Sequence, residues 1–343
     1  MIENCYIRVD ANSTIGTGHL VRTEILADKL AEKNINICFI CNTVPENYQR
    51  KLILKNYKVL NVAGGNSELN QIMKIVTETT NNILIIDSDK EEFYSEIFQT
   101  KIRKTGTKLM MITFYNKYHY YADIILNQNI MALSQKYSCE DYTLKLLGPE
   151  NVILNNAYRN ILQNPEKYKT HLRKKTVLIT FGGVDKPNRT SLVYRILVNL
   201  KNKPEKIIIV LGAMYKFRKE IEESASKTPV NTEIYQNTPE MPCLLAESDI
   251  VFNSGGLTVW EAGVLKSLNV ITGFTERENV GGKFLGNDKL GIYLGDVSIL
   301  FNPDIERKIE TILQHDNSEI INNLFSKIDV NGIYNVVNAI IRI

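Results

Sequence analysis

Two successive series of short apolar runs, separated by segments of helical periodicity, constrain the fold of this chain more than any other feature. In the first series the runs cover residues 5–10, 35–41, 58–62, 83–87, 108–113 and 123–126. In the second they cover residues 176–181, 206–211, 233–235, 250–253 and 269–272. The segment between the first two runs, residues 19–33, has apolar side chains at helical spacing. Strands that alternate with helices form parallel sheets covered on both faces, so an α/β protein is predicted.

The chain divides between the two series. Its 343 residues exceed the size at which one hydrophobic core stops growing. Residues 150–175 interrupt the alternation with Asn164-Pro165 and the basic run Arg173-Lys174-Lys175. We therefore predict a first domain over 1–155, a linker over 156–174 and a second domain over 175–343. Two Rossmann-like, doubly wound domains facing each other are expected, with ligands beyond the carboxyl ends of their strands.

Charge and hydropathy exclude several classes of protein. The 41 basic and 38 acidic residues give a net charge of +3, too balanced for a typical nucleic-acid-binding protein. The N-terminal residues lack the features of a signal peptide, and no apolar stretch reaches the ~18 residues of a membrane span. We predict a cytoplasmic protein that binds no nucleic acid and does not span a membrane.

The five cysteines do not form a disulfide framework or a predicted metal site. Cys38 and Cys41 form a C-x-x-C, but they lie within an apolar run that is predicted to be a strand. Residues three apart on a strand point to opposite faces, so the two thiols cannot converge on one metal. Two buried core residues are predicted here.

A glycine-containing loop follows the first predicted strand and ends at His19. Gly16 and Gly18 permit tight turns, and the helix that begins near His19 presents free N–H groups suited to an anionic or polar ligand. The pattern is not a dinucleotide fingerprint, because Val21 occupies the third glycine position. Histidine transfers protons near neutral pH. His19 is therefore either a catalytic base or a side chain that packs against the helix start, and the residues alone support both equally.

A second glycine pair follows the first strand of the second series. Gly182 and Gly183 stand between that strand and a predicted helix. Asp185 or Asn188 is positioned to cap this helix. The pattern repeats the strand, glycine turn and helix of the first domain, so Gly182, Gly183, Asp185 and Asn188 are also predicted to bind the substrate.

The third loop is Ser254-Gly255-Gly256, again between a strand and a helix. Backbone N–H groups at such a turn can hold a diphosphate without a metal, although a plain tight turn without a ligand has the same sequence. Glu261, one turn into the helix, can accept hydrogen bonds from ribose hydroxyls. The loop that reaches Asn279 is predicted to face the same cleft.

These residues together resemble the UDP-2,4-diacetamido-2,4,6-trideoxy-β-L-altropyranose hydrolases of pseudaminic acid biosynthesis and their relatives in spore-coat polysaccharide synthesis. The resemblance runs through most of the chain. It is carried by Arg8-Val9-Asp10-Ala11 with residues 15–22, by Gly182-Gly183-Val184-Asp185 with Asn188 and Thr190, by residues 254–261, and by residues 126–129 and 147–149. The residue 254–261 motif is shared with many glycosyltransferases of the two-domain GT-B fold, and the first motif distinguishes the hydrolases.

The resemblance implies a mechanism and a set of site residues. UDP would bind to the second domain at residues 254–261, which include Thr258, and the sugar would reach the glycine loop of the first domain near Arg22. His19 would activate a water that attacks the anomeric carbon with inversion, and Asn279 would hold the sugar. No metal or other cofactor is expected, because backbone N–H groups and helix dipoles stabilise the leaving diphosphate.

The chain departs from the family pattern on the sugar side. The family's paired acidic motif is replaced by Thr113-Phe114-Tyr115-Asn116, its Asp-x-Tyr by Asp87-Ser88-Asp89, and a glutamine by Val280. Two alternatives therefore stay open. One is a GT-B glycosyltransferase that uses a UDP-sugar donor, with Tyr118, Tyr120 and Tyr121 along an acceptor groove. The other is a non-catalytic protein that binds a sugar nucleotide.

Overall fold

The computed structural model describes residues 1–168 and 176–343, which form two compact units. Unit 1 contains Met1–Leu154 and Asn331–Ile343, and unit 2 contains Asn155–Val330. His171 and the basic run of residues 173–175 lie outside the described residues. No helix of the described ranges is both long and apolar enough to cross a membrane.

Unit 1 is built on a seven-stranded parallel sheet. Its strands, with a separate two-stranded pair of β6 and β8, are β1 (Asn4–Val9), β2 (Asn36–Cys41), β3 (Lys58–Asn61), β4 (Asn82–Asp87), β5 (Lys108–Ile112), β6 (His119–Tyr120), β7 (Ile124–Asn127), β8 (Ser138–Cys139) and β9 (Leu144–Leu147). The connecting helices are α1 (Gly18–Ala31), α2 (Glu46–Leu54), α3 (Glu68–Val76) and α4 (Glu96–Lys104). The strand order is β3-β2-β1-β4-β5-β7-β9. Successive strands are added on one side from β1 to β3 and on the other side from β4 onward, so the order along the chain reverses between β1 and β4.

Unit 2 repeats this architecture with six parallel strands. The strands are β10 (Thr176–Ile179), β11 (Lys206–Leu211), β12 (Asn231–Gln236), β13 (Ile250–Asn253), β14 (Leu268–Gly273) and β15 (Ile292–Asp296). The helices are α5 (Asn156–Gln163), α6 (Pro165–Tyr168), α7 (Arg189–Asn199), α8 (Arg218–Ala225), α9 (Met241–Ala246), α10 (Thr258–Val264), α11 (Glu276–Asn287), α12 (Ile305–Gln314) and α13 (Ser318–Phe325). The order β12-β11-β10-β13-β14-β15 reverses between β10 and β13. The predicted α/β class with two Rossmann-like halves is confirmed.

The sheet of unit 1 is buried on both faces, as expected for strands that are apolar throughout. Ile7 and Ile85 belong to one buried cluster, whereas Tyr6 and Leu84 belong to the cluster on the other face. Cys41 lies in the first cluster and Cys38 in the second. Burial raises the pKa of Cys38 to about 11 and that of Cys41 to about 12, so both thiols stay protonated and unreactive near neutral pH.

The last helix, α14 (Gly332–Arg342), belongs to unit 1, whereas the sequence-based division placed residues 175–343 in the second domain. Its buried side chains, including Ile333, Val337 and Ile340, join the cluster that also contains residues of α1 and β1. The start of this helix lies against the backbone of residues 150–152. A Cβ on Gly332 would lie only 2.7 Å from the amide nitrogen of Val152. Unit 1 is therefore completed by two segments that are distant in sequence.

The segment predicted to be a linker is helical where it is described. Asn155 caps α5 by accepting a 2.9 Å hydrogen bond from the amide of Ala157, and Tyr158 on this helix is 1% exposed. Helix α5 packs against α9 within unit 2. The many polar residues of this segment suggested a linker, but it forms an amphipathic helix whose apolar side is buried.

Candidate functional site

The chain-order reversal in unit 1 brings together the end of β4 and the start of α1. Asp87 is the last residue of β4, and His19 lies in the first turn of α1. The Nδ1 atom of His19 is 2.5 Å from Oδ1 of Asp87. Arg22 donates to both carboxylate oxygens of Asp87, through Nε to Oδ2 and through Nη2 to Oδ1, each at 2.5 Å. In open α/β sheets such a reversal is where ligands bind.

The loop before His19 is held by hydrogen bonds within the loop, most of them to Asn12. The side-chain oxygen of Asn12 accepts hydrogen bonds from the amides of Thr14 and Ile15 at 2.8 and 2.9 Å. The amide of Gly16 donates to the carbonyl oxygen of Asn12, and Gly16 has a φ of +82°, which disfavours any side chain. A Cβ on Gly16 or Gly18 would meet no described heavy atom within 4 Å. The two glycines therefore border open space beside His19.

The electrostatics of this site keep Asp87 ionised. Burial alone would raise the pKa of Asp87, but the charges and hydrogen bonds of Arg22 and His19 lower it well below its usual range. Burial would likewise lower the pKa of Arg22, and the Asp87 charge raises it instead. Because the ionised carboxylate accepts from Nδ1–H of His19, the neutral imidazole carries its lone pair on Nε2. Nε2 is the nitrogen available to take a proton.

A second group of charged side chains, Arg8, Asp10 and Glu68, lies near the ends of the neighbouring strands β1 and β2. Arg8 is fully buried and pairs with Glu68 and, at 2.6 Å, with Asp10. Asp10 also accepts hydrogen bonds from the amides of Asn42 and Thr43 at 2.7 and 2.9 Å, which ties β1 to the end of β2. Burial would raise the pKa of Asp10, but the bond to Arg8 and its charge lower it. The Arg8-x-Asp10 part of the first motif therefore has a structural role in unit 1.

In unit 2 the first glycine loop leads into a doubly capped helix. Asp185 accepts hydrogen bonds from the amides of Arg189 and Thr190 at 3.1 and 2.9 Å. Asn188 is the N-cap of α7, and its side chain accepts from the amide of Ser191. Asp185 and Asn188 both have positive φ values, 44° and 56°. Their side chains shape the turn and the helix start, which is the capping role that the sequence offered for either residue.

The glycine pair of this loop lies against the end of β11. A Cβ on Gly212 would lie 2.3 Å from the carbonyl oxygen of Gly182 and 2.4 Å from backbone carbon atoms of Gly183. Gly182 itself has a φ of +78°, and a Cβ there would meet no described atom within 4 Å. The backbone of the glycine pair is thus packed against the backbone of Gly212, whereas the Cα of Gly182 borders open space.

The Ser254-Gly255-Gly256 turn follows β13, which lies beside β10 at the reversal of unit 2. Gly255 has a φ of +84°, and its amide donates a 2.8 Å hydrogen bond to the side chain of Asn253. This amide is therefore used within the turn. Groups at the start of a helix lack intrahelical partners, so a ligand at this turn would be met by the amides that follow Gly255. Helix α10, with Thr258 at its start, is only seven residues long.

Glu261 lies in the first turns of α10 and is partly buried. Burial raises its pKa to about 6, although hydrogen bonds from Tyr158 and Thr258 oppose the shift. The phenol of Tyr158 is itself buried, and its pKa is raised well above the usual value. With this pKa, Glu261 changes from mostly protonated to mostly ionised between about pH 5 and pH 7.

Asn279, to which the resemblance gave a sugar-binding role, pairs with side chains of unit 2. Its amide nitrogen donates to Asp296 at 3.2 Å, and its oxygen accepts from the hydroxyl of Tyr293 at 2.7 Å. The same side chain lies against Gly273, where a Cβ would approach its oxygen to 2.0 Å. These contacts fix α11 to β14 and β15.

Of the three tyrosines considered for an acceptor groove, Tyr120 is completely buried. Its hydroxyl contacts the side chain of Thr113 at 3.0 Å and the carbonyl oxygen of Tyr115 at 2.5 Å. It cannot line a groove. Tyr118 and Tyr121 are partly buried, and the Tyr118 ring stacks on Tyr94 at 4.5 Å between centroids.

The sequence interpretation did not include Asp87 among the site residues. It was noted only as part of a departure from the family pattern. The signal that identifies it is positional: Asp87 ends β4, the strand that pairs with β1 in register from Asn4–Asn82 to Val9–Asp87. An acidic residue at the end of the strand beside the histidine loop is the expected partner of that histidine.

Comparisons with known proteins give one sequence relative and many structural ones. No family model matches the chain. An uncharacterized protein of Methanocaldococcus jannaschii, MJ1062, is 28% identical over 262 residues, which cover 75% of this chain and 52% of the relative. The chain thus spans about half the length of this curated relative.

The structural relatives are GT-B glycosyltransferases. MurG of Acinetobacter baumannii matches with a TM-score of 0.72 and 12% identity, over the whole of both chains. The spinosyn rhamnosyltransferase SpnG with thymidine diphosphate matches at 0.65 and 10% identity, over 98% of this chain and 100% of that one. Anabaena Alr3699/HepE with UDP-glucose matches at 0.58 and 11% identity, over 99% of both. At these identities the likeness establishes the fold, and the chain has the GT-B fold.

Proposed function

We propose that this protein is a nucleotide-sugar hydrolase that releases UDP and a free amino-deoxy sugar. The single observation that carries the proposal is the contact between Nδ1 of His19 and the buried Asp87, at the strand-order reversal of a GT-B half. This contact orients an imidazole whose Nε2 can take a proton. The resemblance adds the class of sugar, a diacetamido-trideoxy hexose of pseudaminic-acid-type or surface polysaccharide biosynthesis.

The nucleotide would bind to unit 2. Its strand-order reversal carries Gly182-Gly183 after β10 and Ser254-Gly255-Gly256 after β13. The amides beyond Gly255 would contact the diphosphate, and ionised Glu261 would accept hydrogen bonds from the ribose hydroxyls. Structural relatives with thymidine diphosphate or UDP-glucose support a nucleotide sugar as the ligand class.

The proposed reaction needs one proton acceptor and one stabilised leaving group. A water oxygen attacks the anomeric carbon, and its proton moves to Nε2 of His19. The bond between that carbon and the diphosphate oxygen breaks, and UDP leaves with the electron pair. Ionised Asp87 holds the ring and stabilises the imidazolium that forms, as the carboxylate of a catalytic triad does.

The test is a screen of UDP- and CMP-sugars, including UDP-diacetamido-trideoxy hexoses, for nucleotide release without an acceptor. Free sugar and UDP in equal amounts are expected. UDP binding by calorimetry without turnover of any donor would favour a non-catalytic binding protein instead.

A glycosyltransferase is the second candidate, because the structural relatives named above include transferases. The same His19–Asp87 pair would then deprotonate an acceptor hydroxyl. Release of UDP only when an alcohol or glycan acceptor is added, with a glycoside as the product, would support transfer and contradict hydrolysis.

Asp87→Asn is expected to lower kcat by about 10²–10⁴-fold with little change in nucleotide affinity. The amide cannot stabilise the imidazolium and can hold the ring in the wrong tautomer. Steady-state kinetics together with UDP calorimetry measure both effects. Asp123→Asn is the matched control, since Asp123 is a buried carboxylate paired with Arg103 and Lys108 at the start of β7. Equal losses in both variants would point to general destabilisation and would contradict the catalytic role.

Binding of a UDP-sugar is expected to weaken about tenfold between pH 7.5 and pH 5, because Glu261 has a pKa of about 6 and only its ionised form accepts both ribose hydrogen bonds. Calorimetry with UDP-N-acetylglucosamine suits this test, because its diphosphate has no ionisation in that range. Glu261→Gln should bind more weakly at pH 7.5 and lose the pH dependence. A parallel decline in the variant and the wild type would remove Glu261 from the nucleotide site.

A further inference from the structure

The His19 ring has a carboxylate beside each nitrogen. Asp87 contacts Nδ1 at 2.5 Å and is completely shielded from solvent, whereas Oδ2 of Asp89 lies 4.0 Å from Nε2, and the Asp89 side chain is 44% exposed. Asp87 ends β4 and Asp89 lies two residues further along the chain, so one short segment serves both ring nitrogens. The proposed mechanism uses Nε2, so Asp89 stands on the reacting side.

The segment that carries Asp89 is anchored on both sides of it. The carbonyl oxygen of Ser88 accepts a 3.0 Å hydrogen bond from the hydroxyl of Tyr94. Lys90 forms a 2.6 Å ion pair with the fully buried Glu68. These contacts fix the residue before Asp89 and the residue after it. Burial would lower the pKa of Arg22, but the charges of Asp87 and, to a smaller extent, Asp89 raise it.

The separation of Nε2 and Oδ2 fits one water molecule between them. At 4.0 Å the two atoms are too far apart for a direct hydrogen bond. Two hydrogen bonds of about 2.8 Å that meet at roughly a right angle span this distance. Such a water would donate one proton to Nε2 and the other to Asp89, which leaves a lone pair of its oxygen free to attack.

We propose that Asp89 is a catalytic residue that holds the nucleophilic water against His19 and thereby favours hydrolysis over transfer. This inference rests on the proposed function. In the step itself the water oxygen bonds to the anomeric carbon, its proton passes to Nε2, and the carbon–oxygen bond to the diphosphate breaks with the electron pair on UDP. Asp89 accepts a hydrogen bond from the second proton, which stays on the attacking oxygen.

Asp89→Asn and Asp89→Ala test the assignment, with Glu91→Gln as the matched control because Glu91 is an exposed carboxylate two residues further on. We expect kcat for UDP release to fall about tenfold in Asp89→Asn and about 100-fold in Asp89→Ala, with KM within about twofold of wild type. In the presence of methanol, Asp89→Ala should form a larger fraction of methyl glycoside than wild type, because the water has lost one of its two anchors.

The outcomes separate this inference from the proposed function. If wild type releases UDP and the Asp89 variants change only KM, Asp89 binds the sugar and the inference fails while the hydrolase proposal stands. If wild type turns over no nucleotide sugar, the hydrolase proposal fails, and a crystal structure decides the water site. An ordered water bonded to both Nε2 and Asp89 in wild type and absent from Asp89→Ala supports the site, and its absence from wild type overturns it.

Discussion

His19→Asn is expected to reduce UDP release from a nucleotide sugar by about 10³-fold or more while the affinity for UDP stays within about twofold. General base catalysis contributes 10²–10⁴-fold, and asparagine cannot take the proton that Nε2 accepts. UDP is proposed to bind unit 2, so the change in unit 1 leaves its contacts intact. Steady-state kinetics and UDP calorimetry measure the two quantities on the same preparation.

Azide sharpens this test, since it is an anionic nucleophile that has no proton to lose. Added azide should restore UDP release in His19→Asn and yield a glycosyl azide. His119→Asn is the matched control, because His119 is an exposed histidine of the same unit that pairs with Ser138 and Glu140. Turnover by His19→Asn at the wild-type rate would remove His19 from the mechanism.

Arg8→Met is expected to lower the free energy of unfolding by about 3–5 kcal/mol, the cost of breaking a buried ion pair from one side. Two carboxylates, Asp10 and Glu68, would then share the single cation of Lys90, which lies 3.8 and 2.6 Å from them. The guanidinium of Arg8 also lies 5.4 Å from the Phe93 ring centre, and that contact would be lost. Chemical denaturation followed by circular dichroism measures the change.

The double variant Arg8→Met/Glu68→Gln is the control, because it removes one charge of each sign, and it should be more stable than Arg8→Met alone. The pH dependence has a defined sign. The lowered pKa of Asp10 gives stability that is present above its unfolded value and lost as the pH falls through the folded value. The difference between wild type and Arg8→Met should therefore narrow below about pH 4. A constant difference at all pH values would show that charge is not the cause.

The fold could be predicted largely from the sequence because apolar runs of strand length and helical segments alternate without ambiguity in each half. His19 could be named as a candidate because it follows a predicted strand, although the residues alone supported a catalytic and a packing role equally. Its partner could not be identified in the sequence, because Asp87 lies 68 residues away. Only the pairing of β1 with β4 brings the two together.

Other features depend on packing that the sequence does not specify. The amphipathic pattern of α14 suits burial on either sheet, and only the contacts at Gly332 and Val337 show that it belongs to unit 1. The use of the Gly255 amide by Asn253 is likewise invisible in the Ser-Gly-Gly motif. Residues 156–163 are rich in polar side chains, which is typical of a linker. They form a helix because side chains such as Tyr158 are buried on one side of it.

Because α14 closes the core of unit 1, the whole of unit 2 is inserted between two parts of one folding unit. Synthesis runs from the N-terminus, so the ribosome completes residues 155–330 before the helix that covers α1 and β1 exists. Until then residues 1–154 of the nascent chain keep an apolar surface uncovered, while the continuous second unit has already been synthesised. We therefore expect unit 1, whose synthesis begins first, to complete its folding last, when α14 docks on it.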